Sequence, residues 1–286
     1  MKKFLLIMLS LMLVFSFSAC GGNGNENGGE DVGGEDVEIE EEIGDVELPD
    51  TLVCGVTEFE PMNYREDGTT WTGFDTEFAL LVGDRLGMDV EFQEIDWIQK
   101  YAELASGAIT CIWNGFTANA TEEDGTPRIE LVDMSYAYLL NQQCVVVKAE
   151  NAGDYTDIGD LSGKSVAAEE GSAGQSLAAE AIGDYGSIFG TAAQINTFIE
   201  VKSGAVDCAV VDILLAEKIA GSGDYEDLVI ADIVLDYEVY AVGFKKGDPL
   251  RDAVNAAMEE LYDDGTLAGL AEKYGLENSL ILNKTI

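Results

Sequence analysis

The chain has 286 residues, of which 55 are acidic and 15 basic, for a formal charge of −40. With no basic patch anywhere, that balance excludes nucleic acid as a partner, because phosphate binding needs clustered Lys and Arg. The absence of histidine removes His-based catalytic triads, His-ligated zinc and the commonest general base.

In chain order, Lys2 and Lys3 open a segment whose apolar run extends from Phe4 to Phe17 before Ser18, Ala19 and Cys20. The run falls short of the ~20 residues that cross a bilayer, so residues 1–20 are expected to be a secretory signal peptide. A cysteine directly after small residues marks a lipoprotein signal, with Cys20 as the lipid-bearing N-terminus. An ordinary signal peptide with a nearby cysteine is the alternative, and Phe17 is bulkier than the Leu usual at its place. Residues 21–50 contain Gly, Asn and acids without one Lys or Arg. They are expected to be a flexible, extended acidic tether. The remaining ~235 residues suffice for one large domain or two lobes.

Leu52–Val56 reads as a buried strand. Phe74–Leu86 has helical spacing, with Asp75 a candidate N-cap, an apolar stripe of Phe78, Leu81, Val82 and Leu86, and Gly87 as the stop. Val90–Ile95 alternates as a strand, Trp97–Ser106 is helical up to Gly107, and Ile109–Trp113 and Gln143–Val147 are strands. The alternation resumes with strand Ser165–Ala168, helices Gly174–Ile182 and Ala192–Ser203, strand Asp207–Val211, helix Ile213–Ala220 and strand Val239–Phe244. Helix Pro249–Asp264 begins with Pro in its first turn, and helix Thr266–Tyr274 follows. Such alternation argues for mostly parallel sheets with helices on both faces. Cys54, Cys111, Cys144 and Cys208 lie in apolar stretches without C-x-x-C spacing, so they read as buried thiols; pairing in an oxidising exterior stays open. No cofactor or metal is expected.

In sheets of this kind ligands bind beyond the carboxyl ends of strands. There the sequence places Thr57, Glu58 and Phe59, then Asn114 to Thr117, then Glu169 to Gly174, and Asp212. Aromatic, hydroxyl, glycine and carboxylate groups at one level suit a small polar zwitterion.

The segments "GVTEFEPMNY", "WTGFDTEFALLVGDRLG", "CIWNGFT", "DLSGKSVAAEEGSAGQS", "VKSGAVDCAVVD" and "YAVGFKKGDPLRDAVNAAMEELYDDGTLAGLAEKYG" resemble, in order and spacing from about Leu52 to Leu276, the extracellular family 3 solute-binding proteins, the polar amino-acid receptors of ABC importers. The resemblance implies an α/β, two-lobe periplasmic-binding-protein-like (type II) fold with a ligand cleft between lobes joined by two crossover strands. Lobe 1 would comprise 51–142 and 238–286 and lobe 2 would comprise 143–237, with crossovers near Gln142–Cys144 and Asp236–Glu238. The function implied is a lipid-anchored, extracytoplasmic receptor that delivers a polar amino acid to a permease, a monomer and not an enzyme. A dehydratase of the cyclohexadienyl type on the same scaffold, or a receptor feeding a sensor kinase, are the alternatives.

By the same resemblance Phe59 packs on the ligand and Trp97 forms the other wall, although both could be core residues. Gly115 and Thr117 hold the α-amino and α-carboxylate groups. Arg128 is the arginine that forks onto the α-carboxylate, to which its planar donors are suited. The usual spacing from Thr to Arg is short, whereas Ala118 to Pro127 intervene here; either a loop is inserted or Arg128 is a surface charge. Gly171, Ser172 and Ala173 offer backbone N–H groups to the carboxylate, or simply cap a helix. Asp212 pairs with the ligand ammonium, or caps the next helix. Glu58 and Glu169 face the side-chain pocket, which would favour a basic or polar side chain, or they are solvated.

Overall fold

The structure, a computed structural model, describes residues 48–233, 235 and 237–285. The expected signal peptide, Cys20, nearly all of the tether and Asp236 lie outside the described residues. Within them the chain forms β1 (Thr51–Val56), α1 (Phe74–Leu86), β2 (Asp89–Glu94), α2 (Lys100–Ser106), β3 (Cys111–Ile112), α3 (Arg128–Leu131), β4 (Asp133–Met134) and β5 (Ala137–Lys148). There follow β6 (Ser165–Glu169), α4 (Ala173–Ile182), β7 (Ser187–Thr191), α5 (Gln194–Ser203), β8 (Cys208–Asp212), α6 (Ile213–Ile219) and β9 (Leu228–Ile230). The last elements are β10 (Tyr237–Tyr240), β11 (Gly243–Phe244), α7 (Leu250–Asp263), α8 (Thr266–Tyr274) and β12 (Leu280–Asn283).

Two sheets organise these elements. The first has the order β2-β1-β3-β11-β4 and the second β10-β5-β8-β6-β7, with β9 and β12 also on β5. The expectation of mostly parallel sheets holds only for β1 with β2 and β3, and for β6 with β7 and β8. Strands β4, β5, β9, β10, β11 and β12 all pair antiparallel, so both sheets are mixed. The expected strand 143–147 is the second half of the twelve-residue β5. Gln142 faces Tyr237 of β10, while the next residue, Gln143, faces Asp212 of β8. One continuous strand thus leaves one set of partners and joins another.

The strands expected from unbroken apolar runs are buried on both faces. In β8, Ala209 and Val211 join the cluster that also holds Phe198 and Leu215, whereas Cys208 and Val210 join one with Val145, Val166 and Ile182. In β1, Leu52, Cys54 and Val56 pack with Phe74, Phe78 and Met258 under α1 and α7, while Val53 faces Ile95, Trp97 and Phe116. Helices α1, α2 and α5 stop at Gly87, Gly107 and Gly204, each left-handed as a C-cap requires.

Several expectations are corrected. Asp75 is not the N-cap of α1; Gly73 takes that position, and Asp75 is buried inside the first turn. The helix expected from Trp97 begins as a short 3-10 turn over Trp97–Gln99. The strand expected at 239–244 is split into β10 and β11. The four cysteines of the described residues are free and buried, and Cys54 and Cys111, opposite each other on β1 and β3, hold their sulfurs 3.7 Å apart.

Candidate ligand-binding site

The segments that follow β2, β3, β6, β7 and β8 converge on one small cavity of about 10 Å³, room for about one water. From the side of the first sheet, Trp97, Asn114, Gly115, Thr117 and Arg128 line it. From the side of the second come Glu169, Ser172, Ala173, Gln194 and Asp212.

Local chemistry fixes each wall. The loop after β3 is locked to the loop after β1: the Thr57 hydroxyl donates to Asn114 Oδ1 at 2.8 Å, and Asn114 Nδ2 donates to the Thr57 carbonyl at 3.0 Å. Gly115 has a φ of 56°, and a Cβ there would meet Phe59 Cε1 at 2.5 Å, so both conformation and space require glycine. Its N–H donates to Asp75 Oδ2 at 2.7 Å, which also accepts from the Tyr138 hydroxyl at 2.8 Å. Burial pushes the Asp75 carboxyl up to about 7 against those two bonds.

Arg128 is 1% exposed. The intervening residues form a hairpin, with Thr121 bridged to Pro127 and Glu122 N–H bonded to the Thr126 carbonyl. That hairpin returns the chain to the cavity, where α3 starts. Arg128 donates from Nε to Glu122 Oε1 at 2.9 Å, from Nη1 to the Thr117 carbonyl at 3.2 Å and from Nη2 to the Gly171 carbonyl at 3.2 Å. Lys100 Nζ donates to the same Gly171 carbonyl at 2.8 Å and lies 3.7 Å from Glu122 Oε1. Burial, joined by the Arg128 charge, lowers the Lys100 ammonium to about 7. Burial raises Glu122, but Arg128 and Lys100 outweigh it and hold the carboxyl below its ordinary value.

On the opposite wall Ser172 caps α4, its hydroxyl accepting from Gln175 N–H at 3.0 Å. The Gly171 N–H donates to Gln175 Oε1 and the Ser172 N–H to the Glu169 carbonyl, so these two donors are engaged within the loop. This corrects the expectation that both face a ligand; Gly171 presents its carbonyl to the first wall instead. Its φ of 76° and the 2.9 Å from a would-be Cβ to Ile98 Cα again require glycine.

Asp212 ends β8 and is buried. It accepts from Gln143 Nε2 at 2.7 Å and from the side-chain amides of Asn141 and Gln194, and its own N–H donates to Gln194 Oε1 at 2.9 Å. It stands at the N-cap position of α6 without a capping bond from its side chain. Glu238 lies behind it, accepting from Asn141 Nδ2 at 3.0 Å, Gln143 Nε2 at 2.9 Å and the Thr117 hydroxyl at 3.2 Å. Burial raises Asp212, and burial with the Asp212 charge pushes Glu238 up to about 7. Glu169 is 3% exposed, and its Oε1 has no hydrogen-bond partner. Burial, then Asp212, pushes its carboxyl up to about 8.

Three expected site residues lie off the cavity wall. Glu58 turns to Arg65, with an ion pair of 3.0 Å. Phe59 is buried edge-on against Tyr240, with ring centroids 6.3 Å apart, and supports Gly115 from beneath. Gly171 contributes its carbonyl as described. Gln194 lines the cavity without any signal in the sequence, and Asn114, expected at the level of the strand ends but given no contact role there, lines it too. Asn114 sits in a strand-end loop where a polar residue could be suspected, whereas Gln194 opens a helix like any surface amide.

The chain matches the bacterial extracellular solute-binding proteins, family 3, over residues 52–277. It is 27% identical over 278 residues to the arginine-binding extracellular protein ArtP of Bacillus subtilis (96% of this chain, 98% of that one). It is 28% identical over 277 residues to the L-cystine-binding protein TcyA of the same organism (96% of this chain, 97% of that one). Among solved structures, an ancestral arginine-binding protein bound to arginine aligns with a TM-score of 0.73 and 29% identity, covering 80% of this chain and 99% of that chain.

Proposed function

The chain belongs to the bacterial extracellular solute-binding proteins, family 3, and from that membership we propose that it is a receptor that captures a polar amino acid and delivers it to an ABC importer permease. The observation that carries this reading is the pairing of a buried arginine and a buried aspartate across one cavity. Arg128 has five N–H donors, three of them engaged, which leaves a fork for an α-carboxylate beside Thr117 and Ser172. Asp212 faces the α-ammonium, and Trp97 forms an apolar wall.

Residues 51–142 with 238–286 act as one lobe and 143–237 as the other, a division supported by the change of β5 partners between Gln142 and Gln143. Ligand bridges the lobes, so binding favours the closed form, which the permease recognises. Cys20 carries the lipid anchor and residues 21–50 form the tether; loss of membrane association in Cys20→Ala checks that part.

A thermal-shift screen of the purified chain against the common amino acids tests the receptor reading. A tight binder at 100 times its Kd should add about 2.7 kcal/mol of stability. No shift with any of them would refute it. The receptor needs no turnover; formation of product from prephenate would establish the dehydratase reading in its place.

A further inference from the structure

We propose that Glu169 makes this receptor selective for amino acids whose side chains end in a cation, as in arginine or lysine. The inference rests on the receptor reading above. It follows from which charges around the cavity are already paired.

Two cations approach the cavity, Arg128 and Lys100. Glu122 has taken part of both, at 2.9 Å and 3.7 Å. What the pair still offers is a fork for one carboxylate, the α-carboxylate of the ligand. Two acids line the other wall. Asp212 is held by three side-chain amides, which orient it for one further donor, the α-ammonium. Glu169 is different. It is as buried as Asp212, yet Oε1 has no partner within the protein. A buried carboxylate oxygen without a hydrogen bond is costly and calls for an explanation.

A neutral amino acid uses Arg128 and Asp212 and leaves Glu169 as it is. A cationic side chain supplies both the missing donor and the missing charge. Glu58, the other acid expected near the side chain, is spent on Arg65 and contributes nothing to this choice. L-Cystine brings a second ammonium for Glu169 but also a second carboxylate. Among the described residues, the cation left beside the cavity to meet it is Lys100, which is already committed to the Gly171 carbonyl and Glu122.

Isothermal titration of the full chain and of Glu169→Gln with L-arginine, L-lysine, L-citrulline, L-glutamine and L-cystine tests this. Citrulline keeps the shape of arginine and loses its charge. The unsubstituted protein should bind arginine or lysine at least about 30-fold more tightly than citrulline or glutamine, the loss typical of removing one partner from a buried charge pair. Glu169→Gln should abolish the preference, arginine then binding no more tightly than citrulline. Citrulline, glutamine or cystine binding as tightly as arginine overturns the inference and leaves the receptor intact; so does an unchanged arginine-to-citrulline ratio in Glu169→Gln. Binding of none of the five, with none of the common amino acids shifting the melting point, overturns the receptor reading and this inference with it. Should Glu169→Gln fail to fold, the ligand series on the unsubstituted protein decides alone.

Discussion

Asp212 and Glu169 end neighbouring regions of one wall, and their surroundings assign them different work. Asp212 is ringed by Asn141, Gln143 and Gln194, donors that keep an ionised carboxylate tolerable in a buried place. Replacing it with Asn keeps the shape and removes the charge proposed to meet the ligand's ammonium. Asp212→Asn should therefore weaken amino-acid binding by about 2–5 kcal/mol, measured by titration calorimetry; unchanged affinity would remove Asp212 from the site. Arg128 could be singled out in the sequence only through the family pattern, and the insertion before it left two readings open. Burial to 1% exposure and three hydrogen bonds remove the surface-charge reading.

At the scale of elements, strand ends and helix starts place these groups. Helix α4 begins directly under the Glu169–Ser172 turn, and the Ser172 hydroxyl caps it. Ser172→Ala removes the acceptor of Gln175 N–H and should cost about 1 kcal/mol in urea unfolding; no change in the midpoint would mean that the Gly171–Gln175 bond alone holds the turn. The hairpin between Thr117 and Arg128 shapes the site, because it delivers Glu122 to Arg128 and also to the Tyr101 hydroxyl at 2.5 Å. No periodicity announces it: Ala118 to Pro127 are polar, turn-rich residues, and their pairing is visible only once the chain has folded back on itself.

For the whole molecule, one carbonyl fastens the cleft: Lys100 Nζ and Arg128 Nη2 both reach across to Gly171. Buried acids lie on and behind the walls of this cavity, and pH should report their burial. Burial pushes Asp75 and Glu238 up to about 7 and Glu169 to about 8, and raises Asp212 as well. In the unfolded chain such acids titrate at about 4. Between about pH 5 and 7 the folded protein thus keeps protons that the unfolded chain has lost, and stability falls as pH rises through that window. Lys100, lowered to about 7, acts in the opposite direction only above that pH. Urea midpoints at pH 5, 6 and 7 should decline in that order; a rising series would contradict the burial of these acids. The formal charge of −40 adds repulsion of the same sign.

The sequence by itself determined the alternation of strands and helices, the helix stops at Gly87, Gly107 and Gly204, and the level at which polar groups gather. These are local matters, set by side-chain period and by the left-handed backbone that glycine tolerates. It also carried, through resemblance, most of the cavity wall. Tertiary structure decided the rest: that β5 serves two sets of partners, that both sheets are mixed, that Glu58 is spent on Arg65, and that Glu169 is left with a bare oxygen. Pairing of strands and of charges joins residues far apart in the chain, so it depends on the closed three-dimensional arrangement and leaves no periodic trace along the sequence.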